Sequence, residues 1–363
     1  MSEPITYASA GVDTTAGDRA VELMKDAVRA THGPQVIGGV GGFAGLFDAS
    51  ELREYRRPLL ATSTDGVGTK VAIAQALDVH DTIGHDLVGM VVDDIVVVGA
   101  RPLVMTDYIA CGHVEPDRIA AIVRGIAQAC ALTGTALVGG ETAEHPGLLG
   151  ADEYDVAGAA TGVVEADALL GPHRVRAGDV VVAMASSGLH SNGYSLVRRV
   201  VEVSGWSLDR RLAWGPTLGA ELLTPTRLYT RACLDLAAAV EVHAFSHVTG
   251  GGLAANLARV LPAGVLARVD RASWTVPPVF DLIRELGQVP WADLEQTLNL
   301  GVGMVAVLPP DSVDPALRLL ADAGTSPWIL GEVMATDGDD EGAVQGTKGV
   351  RGGAVRLAGD YRV

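Results

Sequence analysis

Residues 87–110 read LVGMVVDDIVVVGARPLVMTDYIA. Asp93, Asp94 and Arg101 interrupt the apolar run, which makes it a poor membrane span and a good pair of buried elements. Ile83, Leu87, Met90, Val91 and Ile95 recur at helical spacing, so 82–99 is expected to be a helix. The stretch 101–110 reads as a strand. A helix over 116–133 and a strand over 136–138 follow, and this alternation sets the fold class.

Upstream, 18–30 reads as a helix with Val21, Met24, Ala27 and Val28 on one face. A glycine-rich run, IGGVGGFAGLF, fills 37–47, and a short apolar strand covers 58–63. Residues 64–70, TDGVGTK, read as a polar turn, and 71–77 as either strand or helix. Downstream come a strand at 155–164, a boundary near Gly171 and Pro172, and a strand at 180–185. Helices are expected at 192–203, 225–239, 253–260, 278–286 and 315–323, with a strand at 303–308. The expectation is an α+β protein of two α/β-type domains, 1–171 and 172–336, the second a sheet plus helices. Residues 337–363 are turn-rich and charged and read as a loosely held tail.

The 363 residues suit two domains. Lys and Arg number 27 against 44 Asp and Glu, a net charge of −17, which argues against nucleic acid and against an anionic membrane surface. Cys111, Cys130 and Cys233 are odd in number and lack a CxxC pair, which excludes a disulfide framework and a cysteine zinc site. With no basic-then-apolar start, these features fit the cytoplasm. HExxH, GxSxG and a strand-borne GxGxxG are absent, as is the P-loop spacing.

Three carboxylate motifs remain. In TDGVGTK, Asp65 is followed by Gly66, Gly68, Thr69 and Lys70. Glycine N–H groups, a metal-holding acid and a mobile lysine make a cradle for metal-bound phosphate, while the plain alternative is a tight turn. Asp93 and Asp94 sit among apolar residues, where a carboxylate needs a partner. Gly139, Gly140 and Glu141 follow a strand, which is also a common turn. Three carboxylates, one from each motif, converging on Mg²⁺ is the simplest joint explanation. Two histidines stand beside helix starts. His190 lies in SSGLHSNGYS, where Ser191 or Asn192 can cap the helix. His247 precedes Val248, Thr249, Gly250, Gly251 and Gly252, whose free N–H groups suit an anion. Each histidine is equally well a structural one.

Taken in order, GGFAGLF, TDGVGTK, DD-x4-GA, LVGGETAE, SSGLHSNGYSLVR, HVTGGGL and NLGVGM resemble the phosphoribosylformylglycinamidine cyclo-ligase family over about residues 7–331. That family is similar in turn to selenophosphate synthetase, thiamine-monophosphate kinase and a hydrogenase-maturation protein. The resemblance implies a homodimer whose N-terminal domains pair into a β-barrel. It implies ring closure of formylglycinamidine ribonucleotide with ATP, giving aminoimidazole ribonucleotide, ADP and phosphate. It further implies that Asp65, Asp94 and Glu141 handle Mg²⁺–ATP and that Lys70 meets phosphate. Gly41, Gly42 and Phe43 would belong to a loop closing over the nucleotide. His190, Ser191 and Asn192 would face the cleft, with His247 and Thr249 to Gly252 at its other wall. Asp93 departs from the asparagine usual in the family and adds a charge beside that site.

Overall fold

A computed structural model describes residues 14–336, 341–346 and 352–363. It divides into two compact units. The first runs to Ile95 and resumes over Pro102–Glu165; the second comprises Val96–Arg101 and Ala166–Val363. Residues 166–171, expected with the first domain, sit with the second. Leu170 is buried there among Val96, Val182, Phe245 and Met304. Its N–H donates to the Val98 carbonyl at 3.1 Å, and that of Gly171 to His243 at 2.9 Å.

The first unit contains α1 (Thr14–Arg29), the two-residue strands β1 (Val36–Ile37) and β2 (Leu46–Phe47), β3 (Pro58–Gly66), α2 (Val71–Leu77), α3 (Ile83–Val96), β4 (Arg101–Cys111), α4 (Pro116–Thr133), β5 (Ala136–Glu144) and β6 (Tyr154–Glu165). Residues 71–77, readable either way, are thus helical. The four long strands form one sheet in the order β3-β6-β4-β5. β3 pairs antiparallel with β6, and β4 parallel with β5.

α4 begins at Pro116, whose missing N–H costs nothing in a first turn. It ends at Gly134, whose φ of 71° lets the chain turn back. α3 is buried on nearly every side because it crosses α4 backbone to backbone: a Cβ on Gly84 would overlap the Ile126 nitrogen, and one on Gly125 the Asp81 carbonyl oxygen. The turn expected at 64–70 is shorter than its polarity suggests. Residues 64–66 finish β3, and a 3₁₀ turn, Gly68–Lys70, runs straight into α2. Nor does the strand at 136–138 stop at the glycines. β5 continues to Glu144, because pairing with β4 carries Gly139 to Glu144 in register.

The second unit contains β7 (Val180–Ala185), α5 (Tyr194–Ser204), α6 (Leu218–Leu222), α7 (Thr230–Ala239), β8 (Ala244–His247), α8 (Gly252–Arg259), β9 (Val265–Asp270), α9 (Pro278–Gly287), α10 (Trp291–Glu295), β10 (Val302–Leu308), α11 (Pro310–Asp322), β11 (Pro327–Ala335), β12 (Val344–Gln345) and β13 (Ala354–Ala358). Among the described residues its seven strands run β12-β13-β9-β11-β7-β10-β8. β10 is buried throughout. Its alternation sends Val305 and Val307 into one core, with Val181, Ala183 and Leu257. Met304, Ala306 and Leu308 enter a second, with Val182, Met184 and Phe245.

The stretch expected to be a loose tail is partly built into the second sheet. Residues 354–358 are not loosely held: β13 pairs parallel with β9, and Ala354 and Val355 are buried. Tyr361 stacks on Trp291 (ring centroids 4.8 Å apart) and meets Trp274 edge-on at 5.4 Å. Apolar alternation after the paired glycines at 352 and 353 makes a strand that the charged residues before it obscure. Residues 337–340 and 347–351 of that tail lie outside the described residues.

Candidate active site

In the first unit, Asp65 stands near the end of β3, half-buried, and accepts from the Gly66 N–H at 2.7 Å. Gly68 follows with φ 72°, a conformation that favours glycine. Lys70 is not the mobile charge expected. Its side chain is 0% exposed, and Nζ donates to Asp86 Oδ1 at 2.8 Å. Burial pushes the ammonium's pKa down, and the Asp86 carboxylate opposes that. The sequence reading missed Asp86, the residue that fixes Lys70. On α3, Asp93 is fully buried and Asp94 partly so. Consecutive helical residues diverge by about 100°, so the two cannot serve one ligand equally.

Glu141 is exposed within β5. β3 and β5 are opposite edges of the sheet, three strand spacings or roughly 14 Å apart. Asp65 and Glu141 of one chain therefore do not converge on a single ion. Among the described residues no group of three His, Cys, Asp or Glu side chains is placed to hold a metal. The donor set still suits Mg²⁺, which takes one or two carboxylates together with water and substrate phosphate.

A cavity of about 710 Å³ opens beside β5. Ala20, Met24 and Val28 of α1 line it, with the glycine-rich loop at 39–45 and residues 137–142. Gly41, Gly42 and Phe43 belong to this wall, and the Phe43 ring is fully exposed. Gly45 lies against the strand so closely that a Cβ would overlap the Val138 carbonyl oxygen. Asp107 also lines the cavity and was not singled out from the sequence. Burial pushes its carboxyl up to about 7. The signal was there: period-2 alternation places it with Met105 and Ile109 on the buried face of β4.

In the second unit two motif loops meet. The Ser187 N–H donates to His190 Nε2 at 3.1 Å, so the neutral imidazole carries its proton on Nδ1. His190 has φ 61° and is 1% exposed. It locks the loop from within and is not presented openly to a cleft. Gly303 on β10 leaves room for it, since a Cβ there would lie 2.6 Å from His190 Cε1. Asn299, from NLGVGM, donates to the Gly188 carbonyl at 2.9 Å and accepts from the Ser186 hydroxyl at 3.1 Å. The cap of α5 is Gly193, at φ 78°, and neither Ser191 nor Asn192. A Cβ on Gly193 would overlap Leu298 Cδ2. Ser191 is buried and Asn192 half-buried.

Asn192 Oδ1 lies 3.3 Å from where a Gly250 Cβ would stand, which joins this loop to the second. His247 ends β8, opposite Met304, and is 6% exposed. Asn256, also missed, donates to the carbonyls of Thr249 (3.2 Å) and Gly252 (2.8 Å). It turns these oxygens inward at the start of α8. Gly251 and Gly252 have φ 102° and 71°, and a Cβ on Gly252 would overlap the Glu295 carbonyl oxygen. A helix start with half-buried glycines is a place where an anion can approach N–H groups.

These two units are those of AIR synthase related proteins. The family of their N-terminal domain matches residues 48–164 and that of their C-terminal domain residues 176–342. The fold is shared with E. coli HypE, a hydrogenase maturation protein (19% identity, TM-score 0.65, 97% of this chain and 95% of that one covered). A structure of HypE in complex with ATP matches at 18% identity and TM-score 0.63, covering 96% and 93%. Within this class the sequence is nearer to one branch. Phosphoribosylformylglycinamidine cyclo-ligase of Geobacillus kaustophilus is 48% identical over 331 residues, 90% of this chain and 95% of its own. That of Desulfitobacterium hafniense is 46% identical over 337 residues, 93% and 98%. The chain belongs to the phosphoribosylformylglycinamidine cyclo-ligase family.

Proposed function

We propose that this chain closes the imidazole ring of purine synthesis, converting formylglycinamidine ribonucleotide and ATP to aminoimidazole ribonucleotide, ADP and phosphate. Identity of 46–48% across nine-tenths of the chain carries this reading. The chemistry follows from the substrate. A formamide carbonyl is a poor electrophile for ring closure because its oxygen leaves badly. Transfer of the γ-phosphoryl group to that oxygen creates a leaving group, the amidine nitrogen attacks the carbon, and phosphate departs. The protein's task is to position the reactants and balance charge.

In the first unit, the loop bearing Gly41, Gly42 and Phe43 covers ATP. Gly66, Gly68 and Thr69 offer backbone to phosphate, and Lys70, held by Asp86, contributes a fixed positive charge. Asp65 and Asp94 would hold Mg²⁺, which when bound offsets the charge of the phosphates. Glu141 joins such a shell only with help from another copy, given its place on the opposite sheet edge. In the second unit, Thr249 to Gly252 bind the ribonucleotide phosphate, and Ser191 and Asn192 contact the same substrate. His190 holds a proton on Nδ1, and His247 stands beside the phosphate turn.

A homodimer closing a barrel through the four-stranded sheet is supported by its outer face. Leu60 and Tyr108 are 63% and 41% exposed there, beside exposed Thr62, Thr64 and Thr106. No helix among the described residues is long and apolar enough to cross a membrane, in keeping with work in the cytoplasm.

Labelling the formyl oxygen with ¹⁸O tests the chemistry. One heavy atom per turnover is expected in the released phosphate and none in ADP. Unlabelled phosphate with normal product would refute oxygen phosphorylation, and absence of both ADP and imidazole would refute the activity.

A further inference from the structure

Asp107 is a buried acid of the cavity beside β5 that no other described residue engages by a hydrogen bond. It is 9% exposed, and among the described residues it makes no hydrogen bond to another side chain or to another residue's backbone. Only its own N–H lies near enough to favour the charged form. In the parallel register Asp107 stands opposite Gly140. A Cβ on Gly140 would overlap Asp107 Oδ1 and lie 2.8 Å from its Cγ. The glycine therefore makes room for the carboxyl. Buried polar groups are normally satisfied, and an unsatisfied one in a cavity points to a missing donor or acceptor.

The cavity's chemistry narrows what that partner is. Its apolar lining comes from Ala20, Met24, Val28, Val123 and Leu137, and no Lys, Arg or His among the described residues lines it. The titratable groups around Asp107 are Glu141 on β5 and the Cys130 thiol on α4; the lining parts of α1 and the glycine-rich loop supply none. Such a space rejects a triphosphate and accepts a flat, uncharged ring. A shared metal fits poorly. Glu141 is in register with Tyr108, the neighbour of Asp107, so the two carboxylates leave opposite faces of the sheet.

We propose that Asp107 recognises the amino edge of the adenine base, which would make it a specificity-determining residue for the nucleotide; this rests on the reading that the first unit binds ATP. A carboxylic acid presents one donor and one acceptor side by side. Adenine offers the complement, an acceptor at N1 and a donor at the 6-amino group. Burial keeps the neutral acid available near pH 7.

The test compares ATP with purine riboside triphosphate, which lacks the 6-amino group, by calorimetric binding at pH 6.5. Wild type, Asp107→Asn and Asp107→Ala are used, each checked for folding by circular dichroism. Wild type should favour ATP by roughly 10- to 100-fold, the usual effect of one hydrogen bond to a buried polar group. Asp107→Asn should keep that preference, because its amide also pairs one donor with one acceptor. Asp107→Ala should bind both nucleotides weakly and alike. An alanine variant with the wild-type preference, an asparagine variant without it, or an equal loss for both nucleotides that depends on Mg²⁺ would each overturn the role of Asp107. A wild type that binds ATP under none of these conditions would instead overturn the nucleotide reading on which it rests.

Discussion

Replacing Asp107 by asparagine should stabilise the first unit, and more so as pH rises. The carboxyl moves from an ordinary 3.8 to about 7 on folding because burial penalises its charged form. Between these values the folded protein holds a proton that the unfolded chain has lost. The neutral acid's stability is therefore fully present below pH 3.8 and declines as pH rises, with the loss complete above about 7. Each unit is worth about 1.36 kcal/mol, so two units between pH 5 and pH 7 correspond to roughly 2.7 kcal/mol. Asparagine has no such slope. The difference in unfolding free energy between variant and wild type should thus grow by about 2–3 kcal/mol from pH 5 to pH 8. Urea unfolding of the full chain, without nucleotide, measures it. Hydrogen exchange at the β4 and α4 amides localises the gain to the first unit. All five tryptophans lie in the second unit, between Trp206 and Trp328, so their fluorescence serves as an internal control. Parallel pH profiles for the two proteins would refute the argument and mean that the carboxyl finds a compensating donor.

Asp65→Asn should lower turnover by roughly 10²–10³ with circular dichroism unchanged, as expected for loss of a preorganised charge; near-normal turnover at limiting Mg²⁺ would remove it from the phosphate site. Lys70→Met removes the cation paired with the buried Asp86 carboxylate and should cost about 3–5 kcal/mol, read as a fall in urea midpoint, and Lys70→Met with Asp86→Leu should recover much of it. Failure of the double variant to recover would show that this ion pair is not the source of the loss. Gly251→Ala meets no atom closer than 3.5 Å but is strained at φ 102°. It should raise the KM for the phosphate-bearing substrate more than that for ATP, and equal rises would count against a substrate-phosphate turn.

Much of the fold was legible because its elements carry strong local signals. The 116–133 helix has Pro116 at one end and Gly134 at the other, and the 180–185 strand is an unbroken apolar run; both appear with those bounds. β8 escaped because it is four residues long with a polar Ser246, and β9 because Arg268 interrupts it. The strand pairing that carried β5 through Gly139 and Gly140 is a long-range effect that no local window contains. The site followed the same rule. Its glycine turns and histidines announced themselves by residue type, whereas the burial of Lys70 against Asp86, sixteen positions away, is a product of tertiary packing. Asn256 and Asn299 are plain amides in sequence and become loop anchors only through the carbonyls they reach.

The parallel pairing of β13 with β9 has a consequence for how the chain is made. β9 ends at Asp270, and the strand that covers its free edge begins at Ala354. During synthesis on the ribosome, the first unit's strands are all complete by Glu165, so that sheet can assemble early. The second sheet waits for β13, made some eighty residues after β9, and until it emerges β9 exposes an unpaired edge to its neighbours. Translation arrest or proteolytic nicking between Asp270 and Ala354 would therefore leave β9 with an open edge ready to pair with other chains, and β13 acts as the seal that closes it.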